Sequence, residues 1–251
     1  MSFTFNGVNC ETLGMFIEKF PNRPFPQRKQ TIYSVKGRSG DLIVDENAYT
    51  NVVQEYEVFV KGDSVGLQSR LSTIAAWLLG VAGYANLTDT YDTTCYRRAR
   101  VANAVDFLNS LNRFGKATLQ FDCEPQRYPT TDEVYTLTFG TDTWQSVTYA
   151  SGTGLLPAYP KIEITGKQTN YSPSVKAGNL SVQIATPAAM NKIVIDFATQ
   201  SVYNAYNNQM PQLTGISGTW DMLGDGAVIM AQNAANNGNM TLTVYTRRYR
   251  I

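Results

Sequence analysis

Histidine is absent from this chain of 251 residues. Its absence removes the commonest general base and the commonest protein metal ligand, so Ser-His-Asp and Cys-His catalytic arrangements are excluded. Cysteine is also scarce, because Cys10, Cys95 and Cys123 are the only three and have neither metal-site spacing nor a CxxC pair. We expect them to be buried free thiols in a chain that is made in a reducing cytosol.

Charged residues and long apolar runs are scarce too. Charged side chains form 16% of the chain, and 21 Lys and Arg residues almost balance 20 Asp and Glu residues. This balance argues against specific nucleic-acid binding, which needs clustered basic residues to displace counterions. No apolar run approaches the roughly 18 residues of a membrane span, and the first residues do not resemble a secretory signal. The composition therefore predicts a soluble protein without membrane contact.

The residues that are abundant favour an all-β protein, because short β-branched and aromatic runs are interrupted by Gly, Asn and Asp. From about Trp144 onward the chain is richer in Ser, Thr, Asn and Gly and has no helical periodicity, which predicts a separate second β-sandwich. We place the boundary near Gly140, giving domains of residues 1–140 and 141–251. The strands expected in the second domain are Lys161–Thr165, Asn179–Ala185, Lys192–Phe197, Val228–Ala231 and Met240–Tyr245.

One main α-helix is predicted in the first domain. Its apolar residues recur at helical spacing along one stripe, which requires a sheet to cover it. Asp63 or Ser64 is positioned to cap this helix, and Gly80 is positioned to end it. Trp77 lies off the stripe, where it is either a second packing contact or an anchor between subunits. The stripe consists of Leu67, Leu71, Ile74, Ala75 and Leu78.

Two basic segments each have two interpretations. In the first, the alternation of a strand sends Arg98 and Arg100 to one face and Arg97 to the other. Arg98 and Arg100 either form a solvated edge whose charge prevents unwanted pairing, or a row that faces an interface or a lumen. Near the end of the chain, Thr246-Arg-Arg-Tyr-Arg250 is either a charged tail or a docked last strand.

Three pairs of carboxylates are candidates for chemical sites. Asp89 with Asp92 and Asp41 with Asp45 are candidates for acid/base work, which needs two carboxylates that face each other across a cleft. The segment Asp89-Thr-Tyr-Asp92 favours a turn whose side chains bond to its own backbone. Asp221 and Asp225 have two of the oxygen ligands that calcium needs, but the segment has no distal bidentate Glu, which favours an ordinary Asp-Gly turn. We therefore expect no enzyme activity, no catalytic residue, no cofactor and no metal.

The second domain contains several aromatic residues that suit sugar stacking. Aromatic residues on a β-sandwich usually belong to its core or its rim, so this pattern supports only an alternative function, a carbohydrate-binding adhesin of a virion or cell surface. The residues of this possible platform are Trp144, Trp220, Tyr149, Tyr159, Tyr203 and Tyr206.

Four turn and strand segments carry a family resemblance through their order and spacing. They are Gly37-Arg-Ser-Gly-Asp-Leu-Ile-Val-Asp45, Leu87-Thr-Asp-Thr-Tyr-Asp92, Tyr96-Arg-Arg-Ala-Arg100 and Phe121-Asp-Cys-Glu-Pro-Gln-Arg-Tyr128. In this order they resemble the N-terminal domain of the distal tail proteins of long-tailed (siphovirus) bacteriophages. In the second half, Pro160-Lys-Ile-Glu-Ile-Thr-Gly166 is similar to the C-terminal domain of that family.

The resemblance implies an N-terminal β-sandwich with a helix and a projecting hairpin, followed by a galectin-like C-terminal β-sandwich. It implies a homo-hexameric ring, single or stacked, that joins the tail tube to the tail tip and lets DNA pass. The implied partners are the major tail (tube) protein, the tail-tip (tail-associated) protein, and receptor-binding or baseplate proteins. The implied location is the distal end of the virion tail, after synthesis in the host cytoplasm.

The candidate interface or lumen residues are Arg38, Trp77, Arg98 and Arg100. The near balance of charge suits a channel in which DNA slides instead of being held. The segment from Pro21 to Pro26 cannot be part of a central strand and predicts an extended loop, which we expect to reach a neighbouring subunit.

Overall fold

A computed structural model of the chain describes residues 1–62, 66–102, 108–110, 114–166, 172–185, 192–205, 212–234 and 239–251. The described part is an all-β protein with one α-helix, as the sequence predicts. Tertiary contacts divide it between Thr130 and Thr131 into two compact units.

The first unit is organised around one large antiparallel sheet. The strands are β1 (Phe3–Phe5), β2 (Val8–Asn9), β3 (Met15–Ile17), β6 (Val52–Lys61), β7 (Ala85–Asp89), β8 (Asp92–Val101), β9 (Leu108–Ser110) and β10 (Phe114–Pro129). They follow the order β2-β1-β7-β8-β10-β6-β3, and β9 pairs with β10. Inward-facing apolar side chains of the sheet form a buried core, to which β6 contributes Val52, Tyr56, Val58 and Val60.

Helix α1 (Leu67–Leu79) covers the core side of this sheet. The predicted stripe is the face that packs, with Leu67, Ile74 and Leu78 fully buried. Gly80 ends the helix as predicted, and its N–H donates to the carbonyl of Ala76 over 2.9 Å. Gly66 precedes the first helical residue, whereas the predicted caps, residues 63 and 64, lie outside the described part of the chain. None of the described helices has the length and apolar character that a membrane crossing requires.

A separate two-stranded hairpin belongs to the same stretch of chain. It consists of β4 (Arg28–Tyr33) and β5 (Leu42–Tyr49), which pair with each other and with no other strand among the described residues. Its connection contains Gly37 and Gly40, and both have the positive φ values that favour glycine. Sequence analysis recognised this turn from the Gly37 motif.

The second unit is a β-sandwich of two five-stranded antiparallel sheets. The strands are β11 (Val134–Phe139), β12 (Gln145–Thr148), β13 (Lys161–Thr165), β14 (Pro173–Ala177), β15 (Leu180–Ala185), β16 (Lys192–Asp196), β17 (Ser201–Asn204), β18 (Gln212–Ser217), β19 (Val228–Asn233) and β20 (Met240–Tyr245). One sheet has the order β11-β20-β13-β16-β17 and the other has the order β12-β19-β14-β15-β18. Apolar side chains from both sheets form a single buried core.

The boundary lies ten residues before the predicted one near Gly140. The reason is the pairing of β11, which sequence analysis assigned to the first domain. Val134 is opposite Tyr245 and Phe139 is opposite Met240, so β11 forms the edge of a sheet in the second unit. Its last residue, Phe139, is buried in the core of that unit. Sequence reasoning missed this because a pairing across about a hundred residues leaves no local signal.

Candidate interaction site

The hairpin of β4 and β5 exposes apolar residues on both of its faces. Ile32 is directly opposite Ile43, and their side chains are 60% and 58% exposed. Strand alternation sends the next pair, Tyr33 and Leu42, to the other face, and both are exposed as well. Scattered exposed apolar residues are normal, but a contiguous exposed apolar group indicates an interaction surface. We call these four side chains together with Val44 the hairpin patch.

The base of the hairpin is held by polar contacts, whereas the hairpin patch is not. Arg28 donates to Asp45 Oδ2 over 2.6 Å and lies over the ring of Tyr49. The N–H of Asn47 donates to Asp45 Oδ1 over 2.9 Å, and this bond together with Arg28 lowers the pKa of the Asp45 carboxyl. Asn47 itself has a φ of 52°, which places a kink where the pairing register shifts. The hairpin is therefore fixed at its root.

The predicted proline-rich loop lies outside the strands and leads directly into the hairpin. We call residues 21–27 the strap. Gln54 Nε2 donates to the carbonyl of Asn22 over 2.8 Å, and Arg97 Nη2 donates to the carbonyl of Pro24 over 3.2 Å. Arg23 donates to the carbonyl of Tyr91 over 2.7 Å. These three bonds tie the strap to the main sheet and so set the direction in which the hairpin leaves it.

The basic strand β8 has the predicted alternation, and its two faces differ in environment. Arg100 Nε donates to Asp122 Oδ2 over 2.8 Å, and Arg98 lies 3.8 Å from a carboxylate oxygen of Glu124. This hydrogen bond to the Asp122 carboxylate raises the pKa of Arg100. Because a carboxylate neighbours each arginine, the polar face of the sheet presents paired charges and not a row of free positive charge.

Arg38 and Trp77, the other two predicted interface residues, lie in different surroundings. Arg38 is exposed in the connection of the hairpin, close in sequence to the hairpin patch. Trp77 stacks on Phe3 with ring centroids 5.9 Å apart, and its Nε1 donates to the carbonyl of Phe5 over 3.2 Å. The structure thus accounts for Trp77 through packing within its own unit. It does not bring the four predicted residues together.

Asp89 and Asp221, two of the carboxylates named as candidates for chemical sites, accept hydrogen bonds from other groups of the protein. Asp89 Oδ1 accepts the N–H groups of Tyr91 (2.9 Å) and Asp92 (2.8 Å), which confirms the self-bonded turn. Asp221 accepts bonds from Asn179 and Thr219, both over 2.8 Å. Within the described ranges, no cluster of three or more Cys, Asp or Glu residues is arranged to hold a metal ion. All three cysteines are free and buried, as predicted.

Asp225 has a structural partner in the same unit. It accepts the N–H of Gly152 over 2.7 Å and pairs with Arg248. These two contacts occupy both carboxylate oxygens, which agrees with the turn interpretation and not with a calcium loop. The partner Arg248 is fully buried, and the neighbouring Arg247 donates to both oxygens of Asp196 at 2.9 and 3.0 Å. The basic C-terminal segment is therefore docked and is not a solvated tail.

The aromatic residues of the second unit do not form one exposed platform. Tyr149 is buried in the core, and Trp220 packs edge-on against Phe197 with centroids 5.2 Å apart. Trp144 lies under Lys176 Nζ at 4.5 Å. Residue 206, the last of the predicted set, lies outside the described residues.

The hairpin patch was not predicted from the sequence, although the sequence contains a signal for it. Leu42, Ile43 and Val44 are consecutive apolar residues in a strand, so both faces of that strand must be covered to be buried. The fold contains no element in the described ranges that pairs with this hairpin.

Similarity to known proteins is seen in structure. The chain has the fold of the Dit (gp 19.1) protein of phage SPP1, described as a paradigm of the hub adsorption apparatus in phages that infect Gram-positive bacteria. The TM-score is 0.67 at 14% identity, over 97% of this chain and 98% of that one. The activated baseplate of phage p2 contains a chain that matches at a TM-score of 0.42 and 11% identity, over 92% and 90% of the two chains, which is too weak to carry an argument. Neither a protein-family model nor a curated protein sequence matches the chain.

Proposed function

We propose that this protein is a structural hub subunit of a bacteriophage tail. Six copies form a closed ring at the distal end of the tail, where the ring joins the tail tube to the tail tip and leaves a channel for DNA. The fold shared with SPP1 Dit over nearly the whole length of both chains supports this proposal. The four segments that resemble the N-terminal domain of the family belong to the first unit, and one of them contains the turn of the hairpin.

The observation that carries the proposal is the hairpin patch. A two-stranded hairpin is marginally stable alone. This one exposes apolar side chains on both faces, and its outer edges pair with no other strand among the residues that the structure describes. Covering such an element requires another surface, and a second copy of the same chain is always available in a homo-oligomer. A contact from the hairpin of one copy to a different surface of the next is heterologous, and a heterologous contact whose rotation closes produces a ring.

The paired charges of the main sheet are compatible with a DNA channel. Arg100 and Arg98 each have a carboxylate neighbour, so a lumen lined by this face does not bind the phosphate backbone tightly. A net charge of +1 for the whole chain has the same consequence. The protein is therefore expected to let DNA slide and to have no specific affinity for it.

In this proposal each unit has a different role. The first closes the ring, alone or stacked on a second ring, and contacts the tail tube and tail-tip proteins. The second takes the place of the galectin-like outer domain of the family and offers a docking surface to receptor-binding or baseplate proteins. The subunits are synthesised in the host cytoplasm and act in the virion without catalysis, cofactor or membrane contact.

The test is the assembly state of the full chain. Light scattering after gel filtration, at concentrations up to several hundred micromolar, is expected to show a species of six times the 27.8 kDa chain mass. Negative-stain class averages of that species should be sixfold rings. A monomer at all concentrations, without rings in the stain, contradicts the proposal.

A further inference from the structure

Two arginine side chains are opposite each other inside the first unit. Arg97 of β8 and Arg127 of β10 are register partners across the antiparallel pair, on the face that carries the core. Like charges directly opposite on neighbouring strands destabilise a sheet. Water does little to offset the repulsion between the two guanidinium groups, because only 18% of the Arg127 side chain is exposed. Burial also lowers the pKa of Arg97, with Arg127 contributing in the same direction.

The neighbouring carboxylates are already bonded to other groups. Asp92 Oδ2 accepts from Arg127 Nη1 over 3.1 Å, and its Oδ1 accepts the hydroxyl of Thr94 over 2.6 Å. Asp89 bonds its turn through Oδ1 and accepts the hydroxyl of Tyr56 through Oδ2 over 2.8 Å. Each of the four carboxylate oxygens of Asp89 and Asp92 therefore already accepts a hydrogen bond.

Two guanidinium donors are left over. Arg97 Nη1 and Arg127 Nε are buried, and neither has an acceptor among the described residues. A buried N–H without an acceptor costs about 1–3 kcal/mol, and more on a charged group.

Both arginines line one small cavity in the first unit. Its volume is about 40 Å³, and its wall also contains Arg23, Asp89 and Asp92. About 10–15 Å³ of such space is enough to hold one water molecule, so the cavity has room for a water-sized group. A monatomic anion fits this space.

The charges around the cavity leave an excess of one positive charge. Arg23, Arg97 and Arg127 contribute three positive charges, against two negative charges from Asp89 and Asp92. Cys123, which acts electrostatically on Arg97, adds no counter-charge, because burial raises the pKa of its thiol to about 12 and keeps it neutral. A monovalent anion supplies the missing charge and accepts both leftover hydrogen bonds, whereas a water molecule accepts both bonds but supplies no charge.

We propose that this cavity is a binding site for a halide-sized anion, chloride under physiological conditions, held between Arg97 Nη1 and Arg127 Nε. The site lies next to the groups that tie down the strap. Arg97 holds Pro24 through its other terminal nitrogen, and Arg23 of the strap itself lines the cavity. The anion therefore fixes the root of the strap and, through it, the direction of the hairpin.

The experiment is a crystal structure of the full chain grown in sodium bromide, with data collected at the bromine absorption edge. The proposal predicts an anomalous peak within about 3.5 Å of both nitrogens, the outer limit of a hydrogen-bond contact. Water density at the site without anomalous signal overturns it, and so does bromide found only on exposed lysines and arginines, which is an adventitious ion only.

A matched pair of variants tests the same site in solution. Replacing gluconate by chloride at constant ionic strength should raise the unfolding midpoint of the wild-type chain by about 2–4 °C. Arg127→Gln should lose this dependence, whereas Arg98→Gln, with the same charge change on the opposite face of β8, should keep it. Equal midpoints of the wild-type chain in the two salts contradict the proposal. If Arg127→Gln does not fold, the bromide map decides.

Discussion

Arg248 donates from Nε to Glu133 Oε2 over 2.9 Å, and this bond joins the last residues of the chain to the residue before the first strand of the second unit. The same guanidinium also pairs with Asp225 and lies over the ring of Tyr149. Its side chain is fully buried. A single arginine thus ties together both ends of the sandwich and a turn between its strands.

We expect Arg248→Met to destabilise the chain strongly. Removal of one partner from a buried ion pair leaves uncompensated charge and costs about 3–5 kcal/mol. The control is Arg250→Met, since Arg250 is exposed and its loss should change stability by less than about 0.5 kcal/mol. Urea unfolding followed by circular dichroism measures both. Equal effects of the two substitutions contradict this role of Arg248.

The second unit should lose stability in acid. Burial raises the pKa of Glu133, but the bonds from Arg248 and Tyr135 outweigh burial, so the pKa lies below its ordinary value. Asp196 behaves in the same way through Arg247. A carboxyl whose pKa is lowered by folding stabilises the protein above its unfolded pKa, and this stability is lost as the pH falls through the folded pKa.

We therefore expect the unfolding midpoint to be nearly constant from pH 7 to pH 5 and to fall below about pH 4, where unfolded Asp and Glu begin to protonate. Glu133→Gln should be less stable than the wild type at pH 7. Its unfolding midpoint should fall less steeply in acid, because residue 133 can no longer take up a proton on unfolding. Thermal melts in matched buffers measure this. A midpoint that rises on acidification is the opposite of the predicted sign.

The hairpin patch should be needed for assembly and dispensable for folding. Ile32→Lys with Ile43→Asp places two opposite charges, as a cross-strand pair, on residues that are already exposed in the single chain, so the thermal midpoint should change little. Burial of these charges at a subunit contact is costly, and the double variant should remain monomeric. Met222→Asp is the control, because Met222 is an equally exposed apolar residue of the second unit. Light scattering compares the three proteins.

The position of the boundary predicts which fragment of the second unit is stable by itself. A fragment of residues 131–251 retains β11, Glu133 and the buried Phe139, and should unfold cooperatively. A fragment of residues 141–251 loses all three and leaves an edge of β20 unpaired, so it should melt at a lower temperature or aggregate. Gel filtration and thermal melts distinguish them. Equal stability of the two fragments contradicts the boundary between Thr130 and Thr131.

Much of the fold was predictable from local patterns. Strands β13 and β20 have the predicted bounds, because their residues alternate between apolar and polar types over the whole strand. Strands β12 and β14 were missed, since Gln145–Thr148 is short and mostly polar and Pro173–Ala177 begins with proline. The helix was found from its stripe, because a 3.6-residue period is a strong local signal.

The functional surfaces were less accessible to sequence reasoning. The hairpin was expected from its glycine turn, but whether Ile32 and Ile43 are covered depends on every other element of the fold. The burial of Arg248 was not predictable, because its partner Glu133 lies 115 residues earlier. The opposition of Arg97 and Arg127 likewise depends on the pairing register of β8 and β10, which a bulge shifts near Cys123.

The central claim is that the hairpin of each copy contacts the next copy around a closed ring of six. Its most direct test is a photo-crosslinking amino acid placed at Ile43 in the full chain, irradiated at high concentration and resolved by denaturing gel. The account predicts a ladder from one to six chains that stops at six, with crosslinked peptides from a surface other than the hairpin. A product that remains a single chain, or a ladder that continues beyond six, contradicts it.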